Sequence, residues 1–433
     1  MITVPVRLTI WAANMVLFSA VLQLGLLLPM AVTFHRVSVA GIGLNTLAVP
    51  VMTVLLGVAI PTVALGTVWP AAATWPGRLL AGLMDGLFRL TDLPHLPHWL
   101  SYRVASPPDW VAWGVALSLA AAAVWLGRRP WIFRLSLAAA GMFTALIALH
   151  PFAPRLAKGT LEVTALDCGA GEATWVVLPD RTTILIGAGG SPTGFPPSAL
   201  ARRRWDPGED IVSAYLWSRG VKKVDVLVAP STAGNALAGF QAIMANFQVG
   251  EFWYASIPPT APGRSAARRA TMPPPALDAL VAGAVERSIP VRALAAGSEM
   301  ALGRSSVRAL GADALRISSG GASVVVAGEI ENQTESSLKD LSETPLASQV
   351  LEVARRVPAS SPSPEFLSRV APKVAVVVAD RENPHTLPTV EMLDHLKAIG
   401  ARLARTDRDG AVTVEIGASS VEVHGFGVGS ALQ

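Results

Sequence analysis

The chain has 433 residues, of which 51% are hydrophobic and 15% are charged, and it is too long for one ordinary domain. Its mean hydropathy of +0.45 is too high for a wholly soluble protein. With Cys168 as the one cysteine, an internal disulfide and a metal site built on cysteines are both excluded. The net charge of +4 favours anionic partners only weakly, since arginine near a membrane also has a topological cause.

Charged residues are scarce before Pro151 and reach ordinary globular frequency after it, which predicts two domains, 1–150 and 151–433. The first contains four apolar runs, each close to the ~20 residues that cross a hydrocarbon core. These runs are Arg7–Thr33, Ala40–Val68, Asp109–Gly127 and Trp131–His150. The first run is too long for a secretory signal peptide, and no small-residue cleavage site follows it.

Two features of the apolar half concern its arrangement in the membrane. The leucines of Gly77–Leu90 share one helical face, which fits either an interfacial helix or a short buried helix of the bundle. His35-Arg36 and Arg128-Arg129 lie in short loops, which the positive-inside rule places in the cytoplasm. An even total count of spans then places the first residues and everything after Pro151 on the outer side.

After Pro151 the pattern changes to short alternating strands interleaved with helices, which predicts a layered α/β sandwich. Residues 257–275 are rich in Pro, Ser and Arg and are predicted to form a mobile loop. Strands are predicted at 161–167, 174–178, 183–186, 224–229, 252–255, 291–294, 306–310, 314–317, 323–327, 350–353, 373–379, 411–416 and 420–424. Helices are predicted at 209–219, 236–247, 363–370 and 389–399, with a further helical stretch before Val350.

Several segments, in order along the chain, resemble the ComEC family of competence DNA-uptake channels. A basic loop leads into a span with Asn and Pro at Phe34–Pro50, and Leu166–Ala173 (LDCGAGEA) resembles the family's LDVGQGDA turn. Asp206–Gly220, Val370–Leu396 and Arg405–Thr413 resemble later segments of the family. The resemblance implies a membrane α-helical segment followed by an α/β metallo-β-lactamase-like αββα sandwich, without the family's N-terminal soluble domain and early spans.

The same resemblance implies that the family's metal site is degenerate in this chain. Ser231, Ala233, Asn235 and Ala236 stand where hydrolytic members carry the ligands of an HxDxDHxGG loop, which hold metal and acidify its bound water. At the later ligand positions stand Glu329, Arg355, Arg356 and Leu387, and Gly187 replaces an acidic residue. The remaining carboxylates are Asp167, Glu172 and Glu329, with no His aligned beside them. We therefore expect no metal, no cofactor and no catalysis.

Arginine clusters are candidates for DNA contact, because Arg–phosphate contacts do not depend on base sequence. The candidates are Arg202, Arg203, Arg204, Arg355 and Arg356, for which solvated loops are the alternative. Asn45 lies inside an apolar run and needs a polar partner, so it either bonds to another helix or faces a translocation path.

These features predict a multi-pass protein of the bacterial inner membrane, related to DNA-uptake channels, with its C-terminal domain on the outer side. The expected partners are membrane lipid, single-stranded DNA and other competence proteins that supply the absent N-terminal region. Two alternatives stay open: a metal-dependent nuclease or phosphodiesterase with atypical ligands, and a decayed fragment without an uptake role.

Overall fold

Two compact units divide the chain, Met1–Ala153 and Pro154–Gln433. The computed structural model describes residues 4–91, 101–168, 171–190, 206–230, 237–255, 276–311, 314–328, 346–353, 363–379 and 388–426.

The first unit consists of apolar helices and one short strand pair. Its helices are α1 (Val4–Thr33), α2 (Ala40–Val68), α3 (Pro70–Thr91), α4 (Asp109–Trp125) and α5 (Pro130–Leu149), and its strands are β1 (Arg36–Ser38) and β2 (Ser101–Arg103). Within the described residues, three stretches are long and apolar enough to cross a membrane: Thr9–Thr33, Ala48–Val68 and Pro130–Leu149. The fourth predicted span, α4, is a shorter apolar helix of 17 residues, at the lower end of the length that spans a bilayer.

One end of the first unit is closed by the strand pair and an apolar cluster. β1 and β2 pair antiparallel, with Arg36 opposite Arg103. The cluster contains Ala31 from the end of α1, Val111 from the start of α4 and Ile147 from the end of α5. The end of α1, the start of α4 and the end of α5 therefore lie together.

Helix α3 is the second of the two helices that lie between β1 and β2 in the sequence. It follows α2 directly at Trp69, whose backbone N–H donates to the Leu65 carbonyl over 2.7 Å, and it packs against α2. For β2 to reach β1, α3 must run back along α2. The segment Gly77–Leu90 is therefore part of a longer helix that returns the chain to the β1 end.

This arrangement separates the two arginine loops, which the positive-inside rule predicts to lie on one side of the membrane. Arg36 lies on β1, beside the start of α4, whereas Arg128 and Arg129 follow the end of α4. A helix of 17 residues is roughly 25 Å long, so the two loops lie at opposite ends of the helical unit. The return of α3 along α2 could not be derived from hydropathy alone.

The second unit contains two mixed β-sheets. The eight-stranded sheet has the order β17-β16-β3-β4-β5-β6-β7-β8, and the seven-stranded sheet has the order β15-β14-β13-β12-β11-β10-β9. Strands β5 to β8 are parallel, as are β12 to β15. The strands are β3 (Leu161–Ala165), β4 (Thr174–Val177), β5 (Thr183–Ile186), β6 (Lys223–Ala229), β7 (Gln248–Ala255), β8 (Val291–Leu294), β9 (Glu299–Leu302), β10 (Ser305–Ala309), β11 (Ala314–Ser319), β12 (Ala322–Ala327), β13 (Val350–Val353), β14 (Val374–Val377), β15 (Arg402–Arg405), β16 (Val412–Ile416) and β17 (Val421–Gly425).

The helices of the second unit cover the outer faces of these sheets. A π-helical segment, Gly208–Ser213, continues into α6 (Ala214–Ser218), and the other helices are α7 (Phe240–Asn246), α8 (Ala276–Glu286), α9 (Pro364–Val370), α10 (Val390–Ala398) and α11 (Thr406–Asp409). Helices α9 and α10 pack on the seven-stranded sheet. On the eight-stranded sheet, Phe240 of α7 contacts Phe252 of β7 edge to face.

The main core lies between the two sheets. Alternate residues of the strands point into it, among them Val163, Ile184 and Trp253 from one sheet and Val324 and Val376 from the other. Burial of these apolar side chains is the main contribution to the stability of such a sandwich. The helix–sheet–sheet–helix layering agrees with the layered α/β sandwich that the alternating pattern predicts.

A buried ion pair attaches α6 to the eight-stranded sheet and to the chain that enters it. Glu162 of β3 is 2% exposed and accepts two hydrogen bonds from Arg219, over 2.7 and 3.0 Å. Arg219 also donates through Nε to the Arg155 carbonyl, and the Arg155 N–H donates to the Arg219 carbonyl. The segment that follows the helical unit is thereby bound to the α/β unit.

Several elements differ from the predicted pattern. The helix predicted from Ala236 begins at Phe240, and the strand predicted from Phe252 begins at Gln248. Helix α8 and strands β9 and β15 were not predicted. The predicted mobile loop 257–275 and the predicted helical stretch before Val350 lie outside the described residues.

Candidate functional site

The carboxyl ends of the parallel strands in the two sheets meet at one edge of the sandwich, which we call the cleft edge. Glu352, near the end of β13, accepts a hydrogen bond from Thr174 Oγ1. Thr174 begins β4 and pairs with Ile186 at the end of β5. The ends of β13 and β5 are therefore adjacent across the sandwich.

The positions that the family resemblance assigns to metal ligands all come after parallel strands of the two sheets in the sequence. Four of them come after β6, and the others come after β12, β13 and β14. Ser231, Ala233, Asn235, Ala236, Glu329, Arg355, Arg356 and Leu387 all lie outside the described residues, so their assignment stays a prediction. The same holds for the arginine cluster Arg202, Arg203 and Arg204. Within the described part of the chain, no three His, Cys, Asp or Glu residues come together as a metal site would require.

The turn between β3 and β4 brings the two described carboxylates to the cleft edge. Asp167 and Glu172 are half-buried, and between them Cys168 is fully buried. Burial, together with the negative charges of Asp167 and Glu172, raises the pKa of the Cys168 thiol well above its usual range. This thiol is therefore protonated at neutral pH.

Glycine backbones pack tightly where four loops converge at the cleft edge. A Cβ on Gly239 would lie 1.9 Å from the Ala188 carbonyl oxygen, and one on Gly208 would lie 2.2 Å from the Gly239 carbonyl oxygen. Gly187, at the position of the family's acidic residue, has a φ of +73° and donates its N–H to the Val228 carbonyl over 2.9 Å. Gly187 thus has a backbone conformation that residues with a side chain rarely adopt.

Glu352 is a buried acid that the sequence motifs did not identify. It is 3% exposed, its strand neighbours are Val326 and Val376, and burial raises its pKa to about 7. Thr174 donates to one of its carboxyl oxygens, while the other has no hydrogen-bond partner among the described residues. The sequence signal for this buried acid was a Glu within the otherwise apolar strand Val-Leu-Glu-Val.

The predicted membrane-path residue and a tryptophan of the α/β unit lie within the described residues. Trp253 is 1% exposed and donates to Glu251 over 2.7 Å, so it belongs to the core. Asn45 lies on α2 and is half-buried, and no described residue forms a hydrogen bond with its side chain. The interhelical bond expected as its structural role does not occur among the described residues.

Comparisons with known proteins cover the helical unit and, in one case, nearly the whole chain. A family model described as "Competence protein" matches residues 3–129. ComE operon protein 3 of Bacillus subtilis (strain 168) is 20% identical over 418 residues, which cover 92% of this chain and 51% of that protein. Competence protein ComA of Neisseria gonorrhoeae is 33% identical over 108 residues, or 25% of this chain and 16% of that protein.

Two solved structures also match. A mutant of the CmlA beta-hydroxylase matches with 13% identity and a TM-score of 0.37, over 73% of this chain and 64% of that one. CmlA, a diiron beta-hydroxylase from Streptomyces venezuelae, matches with 12% identity and a TM-score of 0.31, over 55% of this chain and 47% of that one.

Apolar helices followed by a two-sheet α/β unit define a membrane protein with a globular domain. The chain spans about half the length of ComE operon protein 3. Within this class, the chain is similar to the competence proteins whose family model matches residues 3–129.

Proposed function

We propose that the chain is a membrane protein of DNA uptake in natural transformation, and that its α/β unit guides a strand without hydrolysing it. The observation that supports this most is the alignment with ComE operon protein 3, which extends over 92% of the chain and so includes both units. The proposed partners are membrane lipid, single-stranded DNA and other competence proteins.

The proposal of a non-hydrolytic unit rests on the residue types after the strand ends. Ala233, Ala236 and Leu387 carry no atom that can bind a metal ion, and Arg355 and Arg356 would repel one. With the helix–sheet–sheet–helix layering, this supports a metallo-β-lactamase-like fold whose hydrolase site is degenerate. The described strands are held by apolar packing, which does not require a metal.

We further propose the bacterial inner membrane as the location, with the α/β unit on the outer side. Arg128 and Arg129 lie in the short loop before α5, and the positive-inside rule favours the cytoplasm for such a loop. The chain crosses once more, through α5, before the α/β unit begins.

Deleting the gene in its own host and measuring transformation frequency tests the uptake role. We expect a large loss of transformants that the wild-type gene restores, while uptake by electroporation, which bypasses the pathway, is unchanged. Unchanged natural transformation in the deletion strain would overturn the uptake role and favour a decayed gene product.

Metal analysis of the purified full-length protein tests the non-hydrolytic role. We expect substoichiometric zinc and manganese and no metal-dependent cleavage of DNA. One metal ion or more per chain, with nuclease activity that a chelator abolishes, would establish the alternative of a nuclease with atypical ligands.

A further inference from the structure

The end of the seven-stranded sheet at β9 to β12 holds an open pocket of about 360 Å³, which we call the serine–arginine pocket. It is remote in sequence from the cleft-edge positions. The lining residues that matter here are Arg304, Ser306, Arg316, Ser318, Ser319 and Ser323. Among the described residues that line it there is no carboxylate.

Arg316 has a positive charge that is only partly compensated, because the nearby Glu299 is shared with a second arginine. It lies directly opposite Arg308 in the β10–β11 pairing, and like charges in that position destabilise a sheet. Glu299 lies opposite Arg308 on the neighbouring strand β9 and forms an ion pair with it. Within the described part of the chain, Arg316 has no ion-pair partner.

The hydrogen bonds of Arg316 are also incomplete. Its Nη2 donates to the Ala347 carbonyl over 3.1 Å, but its buried Nε has no hydrogen-bond partner among the described residues. A desolvated guanidinium beside a second guanidinium is stabilised by an anion that accepts hydrogen bonds from its unpaired N–H groups.

Hydroxyl groups add donors to the same pocket. Ser305 donates to Ser319 over 2.7 Å. The Ser319 hydroxyl can therefore donate its own hydrogen to a ligand. Ser306 and Ser318 are bonded to each other over 3.0 Å. Arg304 is exposed on the turn between β9 and β10, where it adds a second cation.

Two acids lie near the pocket and limit how strongly it attracts anions. Glu299 accepts from Arg308 Nε over 3.0 Å and is held ionised, because hydrogen bonds from Ser306 and Arg308 lower its pKa. Asp180 lies near Gly303 at the rim and accepts from the Thr182 N–H over 3.0 Å. Two arginines thus line the pocket. Asp180 bonds outside it, whereas Glu299 bonds both to Arg308 outside the lining and to Ser306 within it.

We propose that the serine–arginine pocket binds a phosphate group through Arg316, Arg304 and Ser319. The planar guanidinium matches the oxygens of a phosphate, and the hydroxyl donates to a further oxygen. In the proposed function, on which this part rests, the group is a backbone phosphate of the transported strand. Inorganic phosphate has the same chemistry and is the second source to be tested.

The test uses the purified full-length protein in detergent with two probes. Inorganic phosphate is titrated by calorimetry, and a fluorescent thymidine oligonucleotide is titrated by anisotropy at several salt concentrations. Arg316→Gln removes the guanidinium within β11, and Arg304→Ala removes the exposed arginine of the turn. Arg292→Ala is the matched control, since Arg292 is also a strand arginine but pairs with Glu251 at the edge of the other sheet.

We expect both probes to bind the wild type and the Arg292→Ala control. Arg316→Gln should weaken both by about tenfold or more, as for loss of a charge-assisted hydrogen bond. Arg304→Ala should reduce the slope of log affinity against log salt by about one for the oligonucleotide. Since Arg304 is exposed, its substitution gives a result even if Arg316→Gln does not fold.

Two outcomes would overturn the proposal in different ways. If neither variant changes the binding of phosphate, or the wild type binds none, the pocket is not a phosphate site, and the uptake role still stands or falls with the transformation assay. If phosphate binding is lost while oligonucleotide binding is unchanged, the pocket takes a free phosphate, and the strand is ruled out as its source.

Discussion

Glu352 is the residue whose environment departs most from that of an ordinary acid. Its pKa rises from 4.5 to about 7 because it is buried between the sheets, so over this range the folded protein keeps a proton that the unfolded chain releases. The free energy of unfolding therefore falls as the pH rises from 4.5 through 7, by about 3 kcal/mol at most. The stability contribution is fully present below pH 4.5.

The substitution Glu352→Gln tests this linkage. Glutamine has the same shape and can still accept from Thr174, but it has no charge to bury. We expect the variant to lose most of the decrease in unfolding free energy that the wild type shows between about pH 5 and pH 8. Denaturant unfolding followed by tryptophan fluorescence measures this decrease.

The control for Glu352 is the same change at Glu422, an exposed residue of β17. Glu422→Gln should leave the dependence of unfolding on pH as it is in the wild type. If Glu352→Gln also retained the full wild-type dependence, the carboxyl of Glu352 would be ionised in the fold.

The ion pair between Glu162 and Arg219 predicts a large effect of a single truncation. Arg219→Ala leaves the carboxylate of Glu162, 3% exposed in its side chain, without its cation. Removing one partner of a buried pair costs about 3–5 kcal/mol, because the other charge remains desolvated. Denaturant unfolding of the two proteins at neutral pH gives the difference.

An exposed pair provides the comparison for this prediction. The side chain of Arg292 is 51% exposed and pairs with Glu251 over 2.9 Å, so Arg292→Ala should cost less than about 1 kcal/mol. Equal losses for Arg292→Ala and Arg219→Ala would mean that burial does not determine the strength of these pairs.

At the scale of elements, the contact between Gly208 and Gly239 holds the loops of the cleft edge together. In Gly239→Ala the new Cβ would lie 1.9 Å from the Ala188 carbonyl oxygen and 2.8 Å from the Gly208 nitrogen, so two backbone segments must separate. We expect a loss of stability at the upper end of the roughly 1–3 kcal/mol typical of overpacking. Thermal unfolding measures it.

Gly283→Ala in α8 serves as the matched change for Gly239→Ala. Its Cβ would meet only the flexible end of Arg287, at 3.3 Å, and alanine favours a helix over glycine by about 1 kcal/mol. This variant should unfold at the wild-type temperature or above it. A Gly239→Ala protein as stable as Gly283→Ala would show that the loops tolerate separation.

The elements that sequence predicted well have regular apolar patterns. The strand at Thr183–Ile186 and the long helices of the first unit match their predicted runs closely. Strand β15, Arg402–Arg405, was missed because its sequence, Arg-Leu-Ala-Arg, has little β preference; it is held by its pairing with β14. Helix α8 was missed because it follows the proline-rich stretch at once.

The strand ends that border the cleft edge were predictable from the sequence, but the buried groups near them were not. Motif register placed the degenerate ligand positions directly after β6, β12 and β13, where the structure ends these strands. The burial of Glu352 depends on the contact of β13 with β4, which are 178 residues apart at the hydrogen bond between Thr174 and Glu352. The Arg308–Arg316 juxtaposition likewise depends on strand register, which no motif encodes.

At the scale of the whole molecule, the helical unit determines which loops share a side of the membrane. His150 bonds through Nε2 to the Ser106 carbonyl over 3.1 Å, so the end of α5 lies beside the segment that follows β2. The β1–β2 pair joins this segment to Arg36. The chain therefore leaves the helical unit at the same end as Arg36 and opposite the end of Arg128.

Labelling of introduced cysteines tests this topology. Arg36→Cys and Arg128→Cys place thiols at exposed loop positions, and a membrane-impermeant maleimide should reach them from opposite sides in right-side-out and inverted vesicles. The native Cys168 is fully buried and its pKa is raised by that burial, so the wild-type protein should stay unlabelled and serve as the blank. Labelling of both variants from one side would mean that α3 does not return along α2 and that β1 and β2 do not pair in the membrane.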